Sequence, residues 1–363
     1  MHPLSINIEA SNHCQLRCAT CPTASGEVHQ AIGAGHLKAA ELEAFLDAHP
    51  DLLHIELSNW GEVLLNPQLP EILRIAYERD VLVTILNGVN FNHASPAALE
   101  ALVAYRVRGI TFALDGASQQ SYSSYRVRGD YDRVIANIRA LNRVKAQHHS
   151  YFPVLLWQFV AFGHNEHEID TARSVARSLG MHFYVKLAWD DFSPVQDEDR
   201  IRAVSQGKAA SREDYLEQTG SIYLQKALCR QLWNNPQVNF DGEVLGCCAN
   251  RWSSFGNAFD DGLKAVLQGE KMQYAKRMLQ GREEPREDIA CVHCELFQSM
   301  VDRGDFMGPG DLDDPVRKYL RSPVARKIGK RLVRVLGRSR RVSRYLIRPL
   351  VDRALDRLLS RPF

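Results

Sequence analysis

Cys14, Cys18 and Cys21 put three thiols within eight residues, separated by three and then two others. Thiolates so spaced can cap one face of a cubane iron–sulfur cluster and leave its fourth iron without a protein ligand, open to bind and reduce another molecule. A zinc knuckle is the competing use of close cysteines. Structural zinc takes four ligands, and no fourth cysteine or suitable histidine follows at normal spacing. The remaining cysteines are Cys229, the neighbours Cys247 and Cys248, and the pair Cys291 and Cys294. No basic-then-apolar leader and no run of about 18 uncharged apolar residues occurs. A cytoplasmic, reducing setting is therefore expected, in which grouped cysteines read as metal ligands or redox groups rather than disulfides.

The elements that must position the triplet follow a repeating text. With 363 residues, 45% of them hydrophobic and 24% charged, the chain can bury a full core. Short apolar or β-branched runs at Ser5–Glu9, Leu53–Leu57, Val81–Leu86, Gly109–Leu114, Val154–Ala161 and His182–Leu187 read as strands. Between them Ala39–Ala48, Leu69–Glu78, Ala97–Tyr105, Tyr131–Lys145 and Glu166–Leu179 carry apolar residues at helical spacing, the last ending at Gly180. Six βα units predict an α/β fold, an open partial (β/α)6 barrel of TIM type, with functional residues in the loops after each strand. The triplet begins five residues after the first strand. The expected organisation is a barrel over 1–194, a helical bridge over 195–224, a small second domain over 225–305 holding the other cysteines and a hairpin-like VNFDGEVLGCC, and a tail over 306–363.

On the CQLRCATCP motif the chain resembles the radical SAM superfamily. The resemblance implies a [4Fe-4S] cluster on Cys14, Cys18 and Cys21 whose open iron chelates S-adenosylmethionine (SAM). SNWGEVLLNP resembles the family's Gly-Gly-Glu-Pro segment, which implies that Gly61 and Glu62 meet the SAM amino group; Trp60 and Val63 depart from the pattern. Leu86-Asn87-Gly88 is similar to Thr-Asn-Gly and brings in Asn87. Ala113-Leu114-Asp115-Gly116-Ala117 is similar to Ser-(Ile/Leu)-Asp-Gly-Ala, with Ala113 lacking the serine hydroxyl. In SYSSYRVRGDYDRVIANI the resemblance points to Arg128 first and Arg126 second as the arginine near the SAM carboxylate or ribose. In WQFVAFGHNEHEI it points to Gln158 at the adenine edge, where a buried structural glutamine is an equal reading.

Cys229, Gly242, Cys247, Cys291 and Cys294 resemble the front part of the SPASM pattern without its later cysteines, as in the shortened twitch form. This implies a second [4Fe-4S] cluster held by Cys229, Cys247, Cys291 and Cys294 and acting as an electron relay; a zinc ribbon is the alternative. Either of Cys247 and Cys248 suits the ligand position. Cys248 is left over, as a hydrogen donor to a substrate radical or as a small packed residue. The implied activity is reductive SAM cleavage and hydrogen abstraction from a small polar substrate, sugar-like or aminocyclitol-like with lipid-linked forms included, giving dehydrogenation or epimerisation. A flavodoxin-type or ferredoxin-type protein would supply single electrons. The alternatives are a SPASM-type peptide maturase that forms crosslinks and a non-catalytic iron–sulfur protein.

The net charge of +2 hides an asymmetry, because residues 316–363 carry 16 Lys and Arg against 2 Asp. Val324, Ile328 and Leu332 fall on one helical face of this tail, with Arg326, Lys327, Lys330, Arg331 and Arg334 on the other. Such a helix suits an anionic membrane surface at the inner face, or a cap on the acidic body of the chain. A nucleic-acid arm ranks last, since Tyr319, Tyr345 and Phe363 are the tail's only aromatic residues.

Overall fold

The computed structural model describes residues 4–312; the basic-tail expectation for 316–363 lies outside them. Seven strands appear: β1 (Ser5–Ile8), β2 (His54–Glu56), β3 (Leu82–Val89), β4 (Gly109–Ala113), β5 (Val154–Val160), β6 (His182–Lys186) and β7 (Gln237–Val238). Their order in the sheet is β6-β5-β4-β3-β2-β1-β7, and the paired registers are parallel. The chain divides into two compact units. One holds residues 4–13, 26–82 and 224–312; the other holds Cys14–Ser25 and Val83–Tyr223.

In the second unit every residue of β4 and β5 is buried. Parallel strands covered on both faces need continuous apolar runs, and GITFA and VLLWQFV supply them. Phe112 meets Phe91 edge to face at 4.9 Å, and Trp157 and Phe159 are fully buried. Caps set the helix starts: Ser95 accepts the Ala98 amide ahead of Pro96–Ala104, Ser118 the Ser121 amide ahead of Gln119–Tyr125, and Asp130 the Arg133 amide ahead of Tyr131–Gln147. The expected helix over 166–179 divides into a 3-10 turn, Glu166–Glu168, and a helix, Ile169–Ser178, with Gly180 following at φ +67°.

In the first unit helices Ala39–Ala48 and Leu69–Glu78 stand where the periodicity predicts. The 237–248 segment differs from a plain hairpin. Val238 makes an antiparallel bridge to Val244, and Gly242 turns at φ +91°, but β7 also pairs in parallel with β1, Ile8 opposite Val238. The 237–248 segment thus lends the sheet a strand that helical or alternating periodicity cannot reveal in two residues. Among the described residues no helix is long and apolar enough to cross a membrane.

Candidate functional site

The cysteine loop belongs to the second unit, whose backbone holds it: Arg17 N donates to Val127 O at 3.0 Å and Ala19 N to Tyr125 O at 3.3 Å. The Thr20 hydroxyl donates to Asp190 at 2.5 Å and meets the Tyr125 hydroxyl at 2.9 Å. Cys18 is buried, Cys14 and Cys21 half-buried. Burial pushes the Cys18 thiol up, and the neighbouring Arg126 charge pulls it back. Arg126 Nη1 lies 3.7 Å from Cys18 Sγ while its Nε donates to Asp115 Oδ2 at 2.7 Å. Asp115 is fully buried, and its Oδ1 accepts the Val160 amide at 2.8 Å. A carboxylate so placed holds a guanidinium, and the guanidinium in turn offers a donor and positive charge to a thiolate.

Asn90, just past β3, donates to Cys14 Sγ at 3.7 Å and is fixed by Gln15 Nε2 at 2.7 Å and by the Asn92 amide at 3.0 Å. Asn90 and Asp115 were not singled out by sequence reasoning. Asp115 sits inside a quoted motif, whereas Asn90 carries no local signal, 76 positions from its cysteine.

The Gly61–Glu62 loop belongs to the first unit. A Cβ on Gly61 would lie 2.1 Å from Ser11 O and 2.5 Å from Asn12 Cα, so only glycine lets the loop lie against 11–12. Glu62 N donates to His13 O at 2.8 Å, and the buried Glu62 carboxylate accepts the Leu64 amide at 3.3 Å. Val63, in the family's proline position, opens the 3-10 turn Val63–Leu65. Asn66 Nδ2 bonds Ala10 O and Leu37 O, both at 2.8 Å. The loop is therefore stitched to the stretch that leads into Cys14.

Glu9 completes the stitching: its Oε2 accepts the Trp60 amide at 2.7 Å, while Oε1 is buried without a hydrogen-bond partner. Burial pushes its carboxyl up to about 8. An unfolded glutamate titrates near 4.3, so the fold keeps a proton that the unfolded chain loses between these values. The associated stability is fully present below about pH 4 and lost as pH rises through about 8. Glu9→Gln keeps an acceptor for Trp60 and removes the titration. The variant is expected to gain on the parent by several kcal/mol between pH 5 and 8, read from anaerobic urea unfolding at the two pH values; equal pH slopes would contradict this.

The other expected SAM contacts are placed as follows. Asn87 is exposed within β3, which runs on to Val89 rather than ending at Leu86, with Gly88 at φ +104° and a register irregularity between Ile85 and Val89. Gln158 is buried and its Oε1 accepts the Tyr184 hydroxyl at 3.1 Å. A Cβ on Gly88 would stand 3.5 Å from Ala113 Cβ and 3.9 Å from Gln158 Nε2, so the three adjoin across β3, β4 and β5. Of the two arginines, Arg126 is brought to the cysteine loop, and Arg128 is exposed at φ +69°.

The remaining cysteines gather in the first unit. Cys229 ends the helix Gln225–Cys229, Cys291 lies in the turn Ala290–His293, and Cys294 N donates to Cys291 O at 3.0 Å. Cys247 and Cys248 follow Gly246 at φ +82°. Burial pushes Cys229 and Cys247 up; Cys291, Cys294 and Cys248 add to the first, and Cys248, Cys291 and Cys229 to the second. Cys291 is pushed up to about 12 by burial and by Cys294. Five thiols thus feel one another's charge, and Cys247 and Cys248 both belong to the group. Cys229, Cys247 and Cys291 resist ionising by themselves and would be relieved by cationic iron, so the donors fit a cluster. Among the described residues no three His, Cys, Asp or Glu converge on a single metal ion. Cubane thiolates each hold a different iron, so a cluster does not need that convergence. Cys248 N donates to Gln231 Oε1 at 2.7 Å, and Cys248 O accepts Asn59 Nδ2 at 3.2 Å, two residues before Gly61.

Residues 229–295 match SPASM, the iron–sulfur cluster-binding domain. Over 184 residues the chain is 27% identical to an AdoMet-dependent heme synthase of Methanosarcina barkeri (strain Fusaro / DSM 804), a match covering 50% of this chain and 49% of that protein. The chain spans about half the length of this curated relative. Streptococcus suis SuiB bound to S-adenosylmethionine aligns with TM-score 0.57 and 16% identity, covering 82% of this chain and 71% of SuiB. SuiB bound to precursor peptide SuiA gives 0.55 at 16% identity, covering 82% and 70%. At that identity the likeness is one of fold, a partial TIM-type barrel followed by a SPASM domain. Fold, triplet and domain are together similar to those of radical SAM proteins. The SPASM match places the likeness to the SPASM/twitch group in residues 229–295.

Proposed function

We propose that this chain is a radical SAM oxidoreductase with two [4Fe-4S] clusters, one on Cys14, Cys18 and Cys21 and one in the cysteine group of residues 229–294. Cys14, Cys18 and Cys21 would hold the first cluster, which, given an electron by a flavodoxin-type or ferredoxin-type partner, would supply reductive cleavage of SAM for hydrogen abstraction from a small polar substrate. Glu62 and Gly61 receive the SAM amino group, Arg126 holds charge at Cys18, and Asn90 orients Cys14. The observation that carries this reading is the second, complete cysteine set in a SPASM domain, joined to the Gly-Glu loop through Asn59 and Cys248. A fully ligated second cluster suits uptake of the electron lost in dehydrogenation of a carbinol carbon. Cys248 serves epimerisation if it returns hydrogen to the substrate.

Peptide maturation is the second reading, favoured by the shared fold with SuiB, whose structure holds precursor peptide SuiA. Anaerobic reconstitution tests the proposal. About eight irons per chain are expected, four per cluster, with 5′-deoxyadenosine formed only when reductant is present. About four irons, or no SAM cleavage, would sink it.

A further inference from the structure

A cavity of about 560 Å³ opens beyond the ends of β5 and β6, wholly within the second unit, lined by Ala161, Trp189, Asp190, Asp191, Arg212 and Glu213 among others. Its size is that of a small-molecule site. It neighbours the cysteine loop, because Asp190 is the carboxylate that Thr20, between Cys18 and Cys21, bonds at 2.5 Å.

Arg212 is its unusual member. The guanidinium carbon stacks 3.4 Å over the Trp189 ring and lies 5.9 Å from the Tyr223 ring centre. Its Nε and Nη2 are buried with no hydrogen-bond partner. Glu213 and Asp190 act on it through charge, without a hydrogen bond to Nε or Nη2, and the surrounding acids are engaged elsewhere or stand at the rim. Asp190 takes the Thr20 hydroxyl and the Phe192 amide, and Glu198 pairs with Arg202. Asp191 and Glu213 are exposed. Burial lowers Arg212 to about 10. A cation whose buried donors lack hydrogen bonds is costly, and truncating it to an apolar chain would relieve the cost. Aromatic faces offset part of this and leave the planar donors free.

We propose that this cavity is a carboxylate-recognition site for the substrate, with Arg212 as its anion-binding residue and Trp189 as its wall. The proposal rests on the radical SAM reading above, and it narrows the substrate to a small polar molecule that carries a carboxylate. A guanidinium edge matches carboxylate and phosphate alike. The carboxylates of Asp191 and Glu213 on the same lining repel a doubly charged phosphate more than a single carboxylate, which selects the latter. Both a sugar acid and an acidic peptide side chain present this chemistry.

The test is the thermal unfolding midpoint of the reconstituted full-length protein, titrated at constant ionic strength with D-glucuronate, an end-capped glutamyl tripeptide, inorganic phosphate and D-glucose. A ligand that binds only the folded state raises the midpoint in proportion to occupancy. Saturable rises are expected with one or both carboxylates, the stronger identifying the source, and not with glucose; phosphate should be weaker. Arg212→Met should weaken the carboxylate response at least tenfold while its own midpoint stays level or rises, with Arg212→Lys between the two. Equal responses in parent and R212M, no response to either carboxylate, a stronger response to phosphate, or a lower midpoint in ligand-free R212M would each overturn the proposal. Reductant-dependent 5′-deoxyadenosine from the parent protein is a separate readout, so failure of the radical reading leaves this one legible.

Discussion

Replacing Cys14, Cys18 and Cys21 together by alanine is expected to remove about four of eight irons per chain and to abolish reductant-dependent 5′-deoxyadenosine. Loss to background is the outcome because these thiols hold the one cluster that the proposal gives an open iron. The remaining irons should persist, since Cys229, Cys247, Cys248, Cys291 and Cys294 lie in the other compact unit, where burial and their neighbours' charges push up Cys229, Cys247 and Cys291. Iron analysis and the visible spectrum of the anaerobic protein read the first effect, and product analysis reads the second. Retained SAM cleavage would refute the assignment. Loss of all iron would refute the independence of the two sites.

The companion variant is Cys248→Ala. If Cys247 completes the second cluster, the iron content stays near that of the parent; if Cys248 does, it falls by about four. Position in the fold leaves both thiols in the group, because adjacent residues after Gly246 share one turn.

Much of the scaffold could be read from the chain. Parallel strands buried on both faces must be continuous apolar runs, so VLLWQFV and GITFA declare themselves. The caps Ser95, Ser118 and Asp130, by contrast, are seen only in the structure. What stayed hidden depends on distant partners. The two residues of β7 become a strand only because β1 is there to pair with them. Asn90 matters because β3 continues past Leu86 and delivers it to Cys14, and a β-strand's end is set by its neighbours as much as by its own residues.

The electrostatics were hidden for the same reason. In the text of RVRG, two basic residues flanking a valine, the family likeness ranks Arg128 ahead of Arg126. The fold separates them: Arg126 turns toward buried Asp115 and Cys18, and Arg128 takes a left-handed backbone at the surface. Removing Arg126 would strand Asp115 as a buried charge without its partner, a loss of about 3–5 kcal/mol. That arginine therefore serves stability and the cysteine loop at once. Glu9 is a similar case, an apparently ordinary strand residue whose carboxyl group holds the Trp60 amide.

The second large effect is expected from Gly61→Ala. Its Cβ would stand 2.1 Å from Ser11 O and 2.5 Å from Asn12 Cα, and both are backbone atoms that no side-chain rotation can withdraw. Either the 59–62 loop or the 10–13 stretch must shift. Both lead to chemistry, since Glu62 N is bonded to His13 O and His13 precedes Cys14. The cost is about 3 kcal/mol, the upper range for overpacking, and the displaced loop carries Glu62 away from the SAM amino group. Equilibrium dialysis should find SAM affinity reduced at least tenfold, alongside a lower unfolding midpoint. Gly26→Ala is the control: at φ +93° its Cβ meets nothing within 4 Å. It should cost about 1 kcal/mol of backbone strain and leave SAM binding near the parent. Equal SAM affinity in G61A and G26A would mean that the Gly-Glu loop is not where SAM is held.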